Sequence, residues 1–266
     1  MTFNRVLITG AAGGLGKQMR ANATHLGKTL RLSDIADLGE AAANEELFQC
    51  DLGDMDAVMQ LTKDVDTIVH LGGIALENTF ENILNANIRG TYNLYESARK
   101  NGIKRIVFAS SNHAIGFWES DANIDSTVAH RPDTLYGVSK AFGEDLARLY
   151  FDKYGIETVV IRIGSCFEEP RDRRMLSTWL SYRDFIQLVE RSLNTPNVGY
   201  LVVYGSSNNA TSYWNNAAAD VLGYAPQDTA EIYREKIEAT TPPQDPQDPA
   251  VKYIGGSFVP AGHYED

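Results

Sequence analysis

Short runs of β-branched and aliphatic residues alternate with longer stretches of helical period over the first 165 positions of this 266-residue chain. The runs Val6–Thr9, Thr29–Asp34, Leu47–Asp51, Thr67–Leu71, Arg105–Ser110 and Thr158–Ile163 read as strands, with helices between them. Strand and helix in regular alternation predict an α/β fold whose parallel sheet is covered on both faces. From Glu81 to Asn101 the apolar residues Ile83, Leu84, Ile88, Tyr92, Leu94, Tyr95 and Ala98 keep close to a 3.6 period, and Gly102 ends the helix. Tyr136 to Tyr154 is the next long helix, stopped by Gly155. Beyond Ile163 the alternation loosens. A helix is expected over Arg183–Leu193, a strand at Leu201–Tyr204, and helices near Tyr213–Leu222 and Ala230–Thr240. Thr241 to Pro249 holds four prolines in nine residues and reads as an extended surface segment.

Gly10-x-x-Gly13-x-x-Gly16, with Leu15 in the same turn, follows the first strand and opens the first helix. In that context Gly10 makes the tight turn, Gly13 admits a pyrophosphate, and Gly16 lets helix and strand approach, while the helix N-terminus attracts the anion. The expected architecture is therefore a doubly wound, Rossmann-type nucleotide-binding sheet. Residues 1–164 form its core, and 165–266 form a smaller C-terminal portion that completes a substrate site. Asp34 ends the second strand, where a carboxylate accepts from ribose hydroxyls and repels a 2′-phosphate, so NAD is favoured over NADP. Arg31 and Lys17 are the cations close enough in sequence to argue the other way. Asp51-Leu52 and Leu71-Gly72-Gly73 close the third and fourth strands along the cofactor's expected path, and Ile163 closes the sixth.

Tyr136 and Lys140 stand four residues apart, one helical turn, and Ser110-Ser111 ends the fifth strand at the edge where open sheets place chemistry. A phenol with a pKa near 10 is a poor base at neutral pH, and a lysine on the same face favours the phenolate. Glycine turn, strand-end acid, strand-end serine and Tyr-x-x-x-Lys in this order resemble the extended branch of the short-chain dehydrogenase/reductase superfamily, across essentially the whole chain. The resemblance implies Tyr136 as base, Lys140 as its activator and ribose ligand, Ser111 on the reacting oxygen, and Asn87 in support.

A closer resemblance lies in Ser110-Ser-Asn-His113-Ala-Ile-Gly116, Arg162-Ile-Gly-Ser165-Cys166, Arg174-Met-Leu-Ser177-Thr-Trp179 and Gly255-Gly-Ser-Phe258-Val, which look like uronate dehydrogenases. That family implies NAD-dependent oxidation of the C1 hydroxyl of cyclic galacturonate or glucuronate to the aldaro-lactone. A ring of hydroxyls and one carboxylate call for short polar groups and a cation. Ser111, Asn112, His113 and Ser165 supply the first, and Arg174 supplies a guanidinium fork for the carboxylate. Phe258 lines the pocket by the same resemblance. Ala75 is a departure, because relatives can carry a serine just after Gly-Gly-Ile. The competing reading is a nucleotide-sugar epimerase or dehydratase, which shares Tyr-x-x-x-Lys but needs a larger C-terminal lobe than the hundred or so residues after Ile163.

The formal charge of −11 argues against a nucleic-acid or anionic-membrane partner and makes a local cation necessary for an anionic substrate. The sequence has neither a secretory leader pattern nor an apolar run of membrane-spanning length, and Cys50 and Cys166 lack metal spacing. The expectation is a cytoplasmic enzyme with no metal site and with both thiols acting as small hydrophobes. His25, His70, His130 and His263 read as structural, Arg171 and Arg173 as surface charges, and Trp118, Trp179 and Trp214 as packing. The family resemblance also implies a homo-oligomer paired through the two long helices.

Overall fold

The computed structural model describes residues 3–264. Six strands fall on the six predicted runs: β1 (Phe3–Thr9), β2 (Gly27–Asp34), β3 (Glu45–Gln49), β4 (Thr67–His70), β5 (Arg105–Ser111) and β6 (Glu157–Ile163). Two short strands, β7 (Ser165–Cys166) and β8 (Trp179–Leu180), pair with each other, and β9 (Tyr200–Gly205) joins the main sheet. The seven-stranded order is β3-β2-β1-β4-β5-β6-β9, parallel at every pairing. Chain order reverses between β1 and β4, and such a switch point opens a crevice beyond the carboxyl ends of the strands.

The α-helices are α1 (Gly14–Asn22), α2 (Met55–Leu61), α3 (Phe80–Ile83), α4 (Gly90–Lys100), α5 (Leu135–Tyr154), α6 (Met175–Thr178), α7 (Tyr182–Asn194), α8 (Arg234–Thr240) and α9 (Pro249–Lys252). The sheet is apolar on both faces. Val6, Ile8, Leu30, Leu32 and Val159 pack with Met19 of α1 and Phe185, Leu188 and Val189 of α7. Leu7, Ile68, Ile106 and Val160 pack on the other side with Leu94 and Tyr95 of α4 and Leu146 and Tyr150 of α5. Each such aliphatic side chain contributes about 2 kcal/mol by leaving water, and together they fix where the strand ends point.

α5 starts where predicted because Thr134 accepts from the Gly137 N–H, and it stops at Gly155, whose φ of 67° suits glycine. The helix predicted over Glu81–Asn101 runs from Phe80 to Lys100 but loosens into π-helical turns at Leu84–Arg89. Local widening of this kind is frequent at functional sites, and here it carries Asn87. The helix expected near Tyr213–Leu222 is only a 3₁₀ stretch, Ala217–Leu222. The Asn216 amide donates to Tyr204 O and accepts from Tyr204 N (2.8 and 2.9 Å), which holds the preceding residues along β9. Pro249 starts a helix instead of ending an extended run: it occupies the first turn of α9, where its missing N–H is harmless, and Asp248 caps it.

Candidate active site

A cleft of about 1420 Å³ opens along the carboxyl ends of the sheet. Its nucleotide half is lined by Gly10, Gly13, Leu15, Gly16, Asp34, Asp51, Leu52, Leu71, Gly72 and Gly73. Gly10 sits at φ +72°, and a Cβ there would stand 2.7 Å from the Leu71 carbonyl carbon. At Gly16 a Cβ would stand 2.1 Å from Gly10 O, so the turn closes only without side chains. The first turn of α1 has no side-chain cap and no acidic residue, which leaves its N–H groups for a ligand phosphate. Asp34 Oδ2 accepts from Ala12 N (2.9 Å) and Oδ1 from Ala36 N (3.0 Å), joining the glycine turn to the end of β2. Arg31 points away from this region, into Glu46 (2.7 Å) and the carbonyls of Leu61 and Lys63. With that cation engaged elsewhere, the Asp34 carboxylate dominates the ribose end, and the donor set fits NAD.

Asp51 and Leu71 lie just beyond their strands rather than within them, in loops that still border the cleft. Asn87 lies behind the lining. Its Oδ1 accepts from Ile74 N (2.7 Å), and its Nδ2 donates to Ile74 O (3.0 Å) and Ser139 Oγ (2.9 Å), tying the loop after β4 to α5. Glu77, in the same loop, receives the N–H groups of Leu135 (3.1 Å) and Tyr136 (2.8 Å) on its two carboxylate oxygens. Nothing local in the sequence signals that contact, because its partners are more than fifty residues away.

Ser111, Tyr136 and Lys140 come together at the ends of β5 and α5, and all three are buried. Burial pushes the Tyr136 phenol up to about 12, against a smaller opposing effect from the Ser111 hydrogen bond. Burial also pushes the Lys140 ammonium down to about 8, and the Glu144 carboxylate partly offsets this. Lys140 Nζ donates to Ala109 O (2.8 Å) and lies 5.6 Å from the Tyr136 ring centre. The expectation that Lys140 lowers the phenol's pKa therefore meets a stronger desolvation effect. Behind them Glu144, fully buried, accepts from Ser110 Oγ (2.5 Å), His130 Nε2 (3.0 Å) and Arg162 Nη2 (2.8 Å).

At the far end Asn112, His113, Ile163, Ser165, Arg174 and Phe258 line the cleft. Arg174 is partly buried at the cleft wall, and desolvation pulls its pKa below the usual guanidinium value. Among the described residues it makes no ion pair: Nε and Nη2 donate to Ile254 O (3.0 and 2.6 Å) and Nη1 to Ser165 Oγ (3.3 Å). The expected two-pronged fork is thus already half engaged by Ile254, and Nη1 is the end turned toward Ser165. Ser165 Oγ also meets Thr178 Oγ1 at 2.9 Å. The Asn112 amide satisfies both its ends when Nδ2 donates to Ile163 O (3.0 Å) and Oδ1 accepts from Arg174 Nη2 (2.8 Å). His113 lies 4.0 Å from the Phe258 ring and 5.8 Å from that of Tyr136, centre to centre. Its Nδ1 meets Asp133 Oδ2 at 2.7 Å, a partner twenty residues on that sequence spacing did not single out.

Arg173 is not a free surface charge. It donates to the carbonyls of Pro242 (3.0 Å), Glu238 (2.9 Å) and Thr241 (3.1 Å), anchoring the proline-rich segment whose Pro242, Pro243, Gln244 and Asp245 border the cleft. Both cysteines are free, and burial raises the Cys50 thiol to about 11 and the Cys166 thiol further.

A Rossmann-type sheet with a glycine turn at the switch point and Tyr-x-x-x-Lys on the facing helix defines an NAD-dependent oxidoreductase of the extended short-chain dehydrogenase class. A model of the NAD dependent epimerase/dehydratase family matches residues 6–182. The uronate dehydrogenase of Pseudomonas syringae pv. tomato is 53% identical over 265 residues, covering 99% of this chain and 96% of that protein. The crystal structure of a glucuronic acid dehydrogenase from Chromohalobacter salexigens superposes with a TM-score of 0.98 at 54% identity, covering all of both chains. An Agrobacterium tumefaciens uronate dehydrogenase, a tyrosine-to-alanine mutant complexed with NAD, has a TM-score of 0.95 at 50% identity and 98% coverage of each chain. The chain belongs to the NAD dependent epimerase/dehydratase family and, within it, to the uronate dehydrogenases.

Proposed function

We propose that this protein oxidises the C1 hydroxyl of cyclic hexuronates, D-galacturonate and D-glucuronate, to the aldaro-lactone with NAD. The observation that carries the reading is Arg174, a partly buried cation at the cleft without an acidic partner among the described residues. A guanidinium partly withdrawn from water gains from an opposite charge, and a sugar carboxylate meeting Nη1 beside Ser165 would supply one. Ser111 and His113 are the short polar groups left for ring hydroxyls, and Asn112 lines the same end with its amide engaged by Ile163 O and Arg174 Nη2. NAD, when bound, would supply the hydride acceptor for C1. Gly10, Gly13, Leu15 and Gly16 with the α1 N-terminus would hold its pyrophosphate, and Asp34 the adenosine ribose. Asp51, Leu52, Leu71, Gly72, Gly73 and Ile163 would flank it, with Asn87 fixing the loop beneath.

Tyr136 Oη takes the C1 hydroxyl proton, Ser111 orients that oxygen, and Lys140 stabilises the phenolate and binds the nicotinamide ribose. Hydride leaves C1 with the bonding pair, the C1–O bond becomes a carbonyl, and the ring stays closed, so one two-electron step gives the lactone. Residues 1–164 carry the cofactor and 165–266 complete the substrate end of a single domain. Exposed Tyr92, Val138, Leu149 and Tyr154 on α4 and α5 support a homo-oligomer paired through those helices, which light scattering reads directly. Among the described residues no helix is long and apolar enough to cross a membrane. The free thiols support a cytoplasmic setting, which microscopy of the tagged chain in its host tests.

The deciding assay follows NADH formation with galacturonate and with glucuronate. Turnover is expected with uronates. Arg174→Ala should cut kcat/KM on them about 100-fold, and Tyr136→Phe should remove most of kcat while keeping NAD affinity. No NADH from either acid, with conversion of a nucleotide sugar and no net reduction, would replace this reading by an epimerase.

A further inference from the structure

The three segments that border the substrate end of the cleft meet around one carboxylate that the reaction above does not use. Asp133 lies in the turn just before α5, and its side chain is 0% exposed. Oδ2 meets His113 Nδ1 at 2.7 Å and Oδ1 accepts from Thr134 Oγ1 at 3.0 Å, the threonine that also caps α5. Its surroundings are built to its size. A Cβ at Gly116, after β5, would fall 2.0 Å from Oδ2, and one at Gly255, near the C-terminus, 1.9 Å from the same atom. Those two glycines are bonded to each other, Gly255 N to Gly116 O at 2.9 Å. The loop after β5, the start of α5 and the C-terminal segment therefore close over Asp133 as a common anchor.

The pairing dictates what His113 can offer. A carboxylate only accepts, so the shared proton resides on Nδ1, and a neutral imidazole then has Nε2 as an acceptor. The ring, held between Phe258 at 4.0 Å and Tyr136 at 5.8 Å, borders the cleft, with Nε2 as its uncommitted nitrogen. The nearby donors are of the opposite kind: Arg174 only donates, so a hydroxyl bound between such groups is read for its own proton.

We propose that Asp133 is a positioning residue that fixes His113 in its Nδ1-protonated form, so that Nε2 accepts a hydrogen bond from a ring hydroxyl of the substrate. The proposal rests on the uronate reading for its kinetic arm only. The tautomer arm stands on the pair itself.

Two measurements test it. First, ¹⁵N ring spectra of the parent at pH 7.5, with His113 assigned from the signal lost in His113→Asn, should show the proton on Nδ1. A ring protonated on Nε2 overturns the proposal even if no variant folds. Second, Asp133→Asn keeps the side chain's size, but its amide nitrogen donates to Nδ1 and drives the ring proton to Nε2. The expected result is a tautomer reversed in the spectrum, KM for uronate raised about 10- to 100-fold with a smaller change in kcat, and NAD affinity by fluorescence titration within about twofold of the parent. A variant that reverses the tautomer yet leaves KM at the parental value removes the hydroxyl-acceptor role. A parent with the Nδ1 proton but no uronate turnover would instead count against the functional reading alone.

Discussion

Lys140 carries a charge that its surroundings oppose. Burial pulls its pKa down to about 8 from an unperturbed 10.5. A cation with a depressed folded-state pKa destabilises the fold wherever both states are protonated, so the whole penalty applies below about pH 8. Between pH 8 and 10.5 the unfolded chain binds more protons than the folded one, and the penalty fades as pH rises. Lys140→Met should therefore stabilise the protein at pH 7 by about 2 kcal/mol, after loss of the hydrogen bond to Ala109 O, while turnover collapses. Thermal denaturation at pH 7 and pH 10 checks this; a lower midpoint at pH 7 would show that Lys140 is not strained. The proximity of Lys140 to Tyr136 was legible as a four-residue spacing. The opposing effect of burial was not, because desolvation depends on what the sheet and α5 exclude.

At the level of elements, helix α5 is held by groups from outside itself. Glu77 takes the N–H groups of Leu135 and Tyr136 on one carboxylate, adding to the Thr134 cap and to the favourable charge at a helix N-terminus. Glu77→Ala should lower stability by about 1–2 kcal/mol and reduce kcat, since it frees the backbone of the proposed base. Calorimetry with NAD titration separates the effects, and an unchanged kcat would confine Glu77 to stability. Helix α5 was readable from Tyr136 to Tyr154 with its stop at Gly155, because period and C-cap are local, while the Thr134 cap came from the structure. The π-helical turns at Leu84–Arg89 were not, since Asn87 is drawn to Ile74 and Ser139, neighbours only in the folded chain.

For the whole molecule, a formal charge of −11 surrounds a site that we assign to an anion. Repulsion slows encounter at low salt and is screened as the Debye length falls from ~30 Å at 0.01 M to ~8 Å at 0.15 M. On the uronate reading, kcat/KM should rise about two- to threefold over that range with KCl, with kcat nearly constant. A steady fall with salt would mean that Arg174 and its surroundings attract substrate at long range.

The sequence alone determined the sheet, the glycine turn and the order of Asp34, Ser111, Tyr136 and Lys140, because periodicity, caps and strand ends are set by neighbours along the chain. It also carried the short polar and cationic residues that resemble a uronate site. Only the tertiary structure placed Asp133 on His113, Glu77 under Tyr136, Ile254 on Arg174 and the proline-rich segment on Arg173. Each of these joins residues twenty to eighty positions apart. Such contacts arise when separate elements pack, and buried polar groups then take whichever partner the packing brings within reach.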